Sequence, residues 1–110
     1  MRKELEQEIA QLHAEVCQGI ADPNRILILY ELSEGKKNVS EVAEALDMSQ
    51  ATVSRHLKVL RDRAMVITER EGVHIYYSLA DRRIIQALDL LREVLASILE
   101  RRKELAEAIG

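Results

Sequence analysis

Apolar residues recur along this chain with two periods, and the switch between them outlines its elements. Leu5, Ile9, Leu12 and Val16 are spaced four, three and four apart, which places them on one face of a helix over residues 1–20. Asp22 and Pro23 then start a second helix, because proline fits the first helical position, where its missing N–H is no loss. Ile26, Leu27, Leu29 and Leu32 are expected to face inward, and Gly35 to close that helix. Asn38 can cap a third helix. Glu41, three residues on, completes a capping box, and Val39, Val42, Ala43 and Leu46 follow at helical spacing. This helix should stop near Asp47. Ser49 caps a fourth, with Thr52 at its third position and Val53, Leu57 and Leu60 forming one buried stripe.

After Met65 the period changes. Val66, Ile67 and Thr68, then Val73, Ile75, Tyr76 and Tyr77, favour strands. Glu71-Gly72 is a turn signal because glycine tolerates positive φ, so residues 65–79 are predicted to form a hairpin. A last helix is expected over residues 82–108. There Ile84, Leu88, Leu91, Leu95 and Ile98 resume the four-three rhythm, Leu105 and Ile109 keep it beyond Arg102, and Leu90 and Val94 widen the face. Two strands this short do not stand alone in water, so the hairpin must pack on the helices. The predicted class is mostly α with a small β-hairpin. The order matches a winged helix-turn-helix domain, with the helix-turn-helix over residues 38–63 and the wing over residues 65–79.

The outer side of the fourth helix carries Gln50, Thr52, Ser54, Arg55, Lys58 and Arg61. Gln and Arg make paired hydrogen bonds to base edges, Ser and Thr bond a base or a phosphate, and Lys and Arg bring charge to the backbone. Such a helix enters the major groove by its N-terminal residues, so Gln50, Ala51, Thr52, Ser54 and Arg55 would lie nearest the bases, with Lys58 and Arg61 nearer phosphate. His56 could donate to a phosphate or pack against the preceding helix. Arg70 and His74, near the hairpin tip, are candidate phosphate or minor-groove contacts. Net charge is −3, yet residues 49–74 hold five Lys or Arg against three Asp or Glu, whereas residues 1–48 hold five against ten. The excess of positive charge thus coincides with the reading helix and wing, and Lys36 and Lys37 could add to it.

One head cannot cover the stripes on both terminal helices. A homodimer is therefore expected, with the first helix (1–20) and last helix (82–108) of two chains packed about a twofold axis. That sets the reading helices about one DNA turn, roughly 34 Å, apart. With 110 residues and only three aromatics, Tyr30, Tyr76 and Tyr77, one domain with an aliphatic core is expected. No apolar run is long enough to span a membrane, and the start MRKELEQEIAQ lacks a secretory apolar stretch, so the expected location is cytoplasmic. The single cysteine, Cys17, excludes an intrachain disulfide framework. No Gly-rich phosphate loop, nucleophile elbow or paired catalytic carboxylate occurs, so neither catalysis nor a bound cofactor is expected.

The stretches ADPNRILILYEL (Ala21 to Leu32) and SQATVSRHLKVLRDRAMV (Ser49 to Val66), with the helix, helix-turn-helix and wing in this order, closely resemble the ArsR/SmtB family of winged-helix repressors. The resemblance implies a homodimer that blocks transcription at double-stranded operator DNA until an inducer, often a metal ion or a thiol-reactive species, releases it. It also implies where metal ligands would lie. Cysteines at the start of the third helix are replaced here by Asn38 and Ser40. A second set, an Asp, two His and a Glu lying across the last helices, corresponds here to Asp81, Arg83, Val94 and Ser97, so no metal site is expected and the inducer is unknown. His13 and Cys17, four apart on one helix, could chelate a soft metal or activate the thiol. Cys17 could equally be a small buried hydrophobe beside a dimer interface. A different class of function stays open on the residues alone: a winged-helix protein-interaction module that dimerises without reading DNA.

Overall fold

The computed structural model describes residues 1–110. Five helices and one hairpin follow in order: α1 (Arg2–Leu12), continued by a π-helical turn (His13–Cys17), then α2 (Pro23–Ser33), α3 (Val39–Leu46), α4 (Gln50–Asp62), β1 (Val66–Glu71), β2 (His74–Leu79) and α5 (Arg83–Ile109). The caps are those the side chains favour. Asp22 accepts from the amides of Asn24 and Arg25 ahead of Pro23, Asn38 and Glu41 form a reciprocal capping box, and Ser49 accepts from Thr52 N at 3.1 Å. Asp47 ends α3 in the left-handed conformation, φ 53°, which turns the chain sharply into α4.

The core of the head is aliphatic. Ile28, Leu29 and Leu32 of α2, Val42 and Ala43 of α3, and Val53, Leu57 and Leu60 of α4 meet beneath Met65 and Val66, and Leu88 of α5 closes one side. The inward face of α2 differs from expectation. Ile28 is fully buried, while Leu27 is half exposed, because the helix presents residues 28, 29 and 32 to α3 and α4 and turns Leu27 away. The hairpin is antiparallel, with Val66 opposite Leu79 and Glu71 opposite His74. Its two-residue loop is therefore Gly72-Val73, one residue later than the sequence suggested. Gly72 has φ +63°, which a residue with a side chain resists. The wing is tied down by a short bridge to the loop before α3, where Lys37 and Tyr77 exchange both backbone hydrogen bonds, at 3.0 and 2.8 Å.

The terminal helices are the exception to this packing. Of the apolar residues of α5, Ile84, Ile85 and Leu88 pack on the core of the head; Leu90, Leu91, Val94, Leu95 and Leu99 remain exposed, as do Leu5, Ile9 and Leu12 of α1. The stripe predicted on α5 therefore splits, its first residues packing against the head and the rest finding no cover. The radius of gyration is 17.4 Å, against about 13 Å for a compact chain of this length. The accessible surface is 8064 Å² for 12.6 kDa, roughly 1,900 Å² above that of a compact monomer of this mass.

The buried and exposed leucines separate in a stability measurement. Leu57→Ala, in the centre of the core, should lower unfolding free energy by about 2–5 kcal/mol in urea titrations at fixed protein concentration. Leu27→Ala should cost well under about 1 kcal/mol. Equal losses would mean that α2 packs by another face.

Candidate nucleic-acid interface

The rotation of α4 is set by its buried stripe. With Val53, Leu57 and Leu60 wholly inside, a turn of 100° per residue leaves Gln50, Ala51, Ser54, Arg55, Lys58 and Arg61 outside, and all six are exposed. Thr52 is half-buried and its hydroxyl accepts from Ser49 Oγ at 2.8 Å, so it reinforces the cap. Lys58 is paired with Asp62 at 2.9 Å on the same helix. Arg55 and Arg61 enter none of the ion pairs of the fold and keep their full donor set.

His56 does not belong to this surface. It is 7% exposed, and its Nδ1 faces Nη1 of Arg25 at 3.4 Å. Its position three residues after Val53 and one before Leu57 turns it inward, where its polar partner is Arg25 of α2 and not a residue of the preceding helix, α3, and it does not stand on the exposed face.

The wing divides its candidates. Side chains alternate across a ribbon, so Arg70 shares a face with Thr68 and Ile75, whereas His74 shares the other with Glu69, Glu71 and Tyr76. On that second face Lys36 reaches Glu71 at 2.6 Å and Glu69 at 3.4 Å and lies 5.4 Å from the centre of the Tyr76 ring. These carboxylates hold the Lys36 ammonium protonated to higher pH than usual. Lys37 is paired with Glu31, which raises its pKa in the same way. Neither lysine adds free positive charge, because Lys36 faces carboxylates of the wing, distant in sequence, and Lys37 faces Glu31 at the end of α2. Between the wing and the helices a groove of about 340 Å³ is lined by Asn38, Ser40, Ser54, His74 and Tyr77 among others, next to the exposed face of α4.

Two further sequence candidates lie away from this surface. Cys17 is exposed on the π-helical turn. The wider turn brings residues five apart together, so His13 receives a hydrogen bond from Gln18 Nε2 at 3.3 Å in place of the expected approach to Cys17. Asp81 is held by Arg83 through both carboxylate oxygens, at 2.6 and 3.1 Å, and also accepts from the Arg83 amide at 2.9 Å. Those donors lower the Asp81 pKa to about 2.

Comparison with known proteins follows this geometry. The sequence model described as "Bacterial regulatory protein, arsR family" matches residues 22–68, from the cap of α2 through the helix-turn-helix into the first strand. The chain is 40% identical over 85 residues to the transcriptional regulator NmtR of Mycobacterium tuberculosis, covering 77% of this chain and 71% of that one. The chain belongs to the ArsR family. It is similar along 92% of its length to the arsenical resistance operon repressor of Bacillus subtilis, at 31% identity and with 94% of that protein covered. A solution structure from Mycobacterium bovis, described as a homodimeric winged helix-turn-helix DNA-binding domain, superposes with a TM-score of 0.72 at 27% identity, covering 83% of this chain and 84% of that one. ArsR-family proteins are non-enzymatic, DNA-binding transcriptional regulators that act as homodimers, and this chain is one of them. No helix here is long and apolar enough to cross a membrane.

Arg55→Ala removes an unpaired donor from the open face of α4 and nothing from the core. It should cost roughly 1–3 kcal/mol of discrimination between a preferred and a random duplex, with unchanged thermal stability. Undiminished discrimination in a fluorescence titration would place the reading contacts elsewhere.

Proposed function

We propose that this ArsR-family protein is a cytoplasmic homodimeric repressor that reads double-stranded operator DNA and leaves it when an inducer binds. The observation that carries the reading is the open face of α4: Gln50, Ala51, Ser54 and Arg55 stand at its N-terminal half, free of ion pairs such as those that neutralise Lys36 and Lys37. These four residues meet base edges in the major groove, with Thr52 bracing the helix start. Lys58 and Arg61, on the later turns, and Arg70 on the wing meet phosphate; His74 lies on the acidic face of the wing and contributes at its edge.

Dimerisation through α1 and α5 is supported by area. The excess surface of roughly 1,900 Å² per chain doubles to roughly 3,800 Å² for a pair, within the range of obligate homodimers. Its position is that of the exposed leucines of both helices. Titration against salt tests the DNA reading, since log affinity should fall linearly with log salt for phosphate contacts; little binding to DNA at any salt would favour a protein-docking module instead. Leu91→Lys with Leu95→Lys should abolish the dimer by placing unpaired charge in the apolar seam. An unchanged dimer in sedimentation would mean that α5 is not the interface.

The inducer is not a metal held by the family's ligand sets. Asn38 caps α3, Val94 offers no ligand atom, and the one retained carboxylate, Asp81, is saturated by Arg83, which a cation would first have to displace. The alternative is the exposed Cys17, where modification adds bulk or charge beside the uncovered α1 stripe. Stoichiometric zinc, nickel, cobalt or cadmium should leave the DNA complex intact, and Cys17→Ser should blunt the response to oxidant or persulfide. Release by submicromolar zinc or nickel, or an unaltered response of Cys17→Ser, would overturn the corresponding half of this assignment.

A further inference from the structure

We infer that Arg25, with Arg63 and His56, is a positioning device that sets the angle between the dimerisation helix α1 and the reading helix α4, and thereby the spacing of the two reading heads. The inference rests on the DNA reading proposed above. Its basis is how the end of the first helix meets the head. The last carbonyls of a helix have no partner within it. Here guanidinium groups reach carbonyls at that end and in the π-helical turn before it, in addition to the backbone bond from Ala21 N to Gln18 O at 3.4 Å. Arg25 Nε donates to Gly19 O at 2.6 Å and its Nη2 to Gln18 O at 3.1 Å. Arg63, which caps the C-terminus of α4, donates through Nη1 to Ala14 O and, at 3.4 Å, to Glu15 O.

The third branch of Arg25, Nη1, faces Nδ1 of His56. Arginine has no acceptor, so the imidazole nitrogen must accept and the proton of the ring lies on Nε2. One planar cation thus joins the end of α1, the first turn of α2 and the middle of α4, and His56 is the immediate neighbour of Arg55 on the reading helix. Asp22, 4.0 Å from Arg25 Nη1 and itself the cap of α2, keeps the guanidinium in place. Close approach accompanies these bonds. Gly19 is buried, and a methyl group in place of its hydrogen would lie 2.7 Å from Met65 Sδ and 3.0 Å from Arg63 Cδ, so α1 seats directly on the junction of α4 and β1.

α1 itself makes little use of the head: Leu5, Ile9 and Leu12 are exposed, and it is Val16 of the π-helical turn and Ile20 beyond it that pack against the core. The angle of the dimerisation helix is therefore fixed near residues 14–20, where α4 is tied to it at two points, Arg63 directly and His56 through Arg25. A small rotation there is carried along α1 to the twofold axis and displaces one reading helix relative to the other. Loss of the clamp affects which half-site spacing fits, whereas loss of a base or phosphate contact leaves the spacing unchanged.

The test uses the full-length protein and a duplex selected by the wild type from a randomised pool, together with versions whose centre is lengthened or shortened by one and two base pairs. Wild type should show a sharp optimum of spacing. Arg25→Ala, Arg63→Ala and His56→Leu should flatten or shift that optimum and lower the preference for the selected over a scrambled duplex about tenfold or more, comparable to the loss of one matched base pair. Their dimer in sedimentation and the slope of log affinity against log salt should stay as in wild type. His56→Gln, whose amide oxygen can accept from Arg25, should retain the wild-type optimum. If Arg25→Ala fails to fold, Arg63→Ala and His56→Leu decide the matter. Folded variants that keep the wild-type optimum and preference overturn the inference alone. A wild-type protein that selects no duplex overturns the DNA reading, and this inference with it.

Discussion

Burial of three residues on one helix organises both the core and the functional surface. Val53, Leu57 and Leu60 are each without measurable exposure, and each such side chain contributes about 1.5–3 kcal/mol when removed from water. Rotating α4 enough to release them would also bury Arg55 and Ser54. The energy that holds the head together is thus the energy that keeps the reading face outward. Ile28, Leu29, Leu32, Val42 and Ala43 form the complementary surface, and the capping box at Asn38 with the left-handed Asp47 sets the short α3 at the angle that receives the stripe.

The head leaves its own terminal helices unsatisfied. A lone chain with most of the apolar residues of α1 and α5 in water has a much larger surface than its mass warrants, so folding of those helices and association are one problem of burial. The attachments to the head are few and specific. On α5 they are Ile84, Ile85, Leu88 and the contact of Tyr30, whose hydroxyl donates to Asp89 at 2.6 Å while Arg92 lies 5.2 Å from its ring. Burial and that carboxylate raise the pKa of Tyr30, so it remains a donor. On α1 they are Val16, Ile20 and the two arginines. Heads joined to a dimer by so few contacts take their relative placement from the geometry of those contacts.

Charge was the property least readable as a sum. The chain is negative overall, yet what faces solvent beside the wing is decided pair by pair. Lys36 and Lys37, adjacent in sequence to the helix-turn-helix, are drawn to Glu71, Glu69 and Glu31, and Lys58 is shared with Asp62. The exposed pairs among these, those of Lys36 and Lys58, contribute little to stability. Their consequence is to leave Arg55, Arg61 and Arg70 as the unneutralised cations of the reading side.

The sequence by itself determined the order and type of the elements, the caps at Asp22, Asn38 and Ser49, the buried stripe of α4 and the polar residues opposite it. These are local: caps depend on neighbours within one turn, and helical period depends on spacing along one element. Tertiary structure decided what depends on residues far apart in the chain. Ile28 in place of Leu27 entered the core because the direction of α2 relative to α3 and α4 chooses among adjacent apolar residues. His56, turned inward with the stripe by its spacing from Val53 and Leu57, gained a partner that only the fold supplies, Arg25 of α2. The pairing of the wing was set by a hairpin loop one residue later than the turn signal, which puts Glu71 opposite His74 and Arg70 opposite Ile75. The joining of α1 to α4 by Arg25 and Arg63 was invisible along the chain, because the carbonyls involved carry no residue identity and only the π-helical turn and the seat at Gly19 bring them within reach.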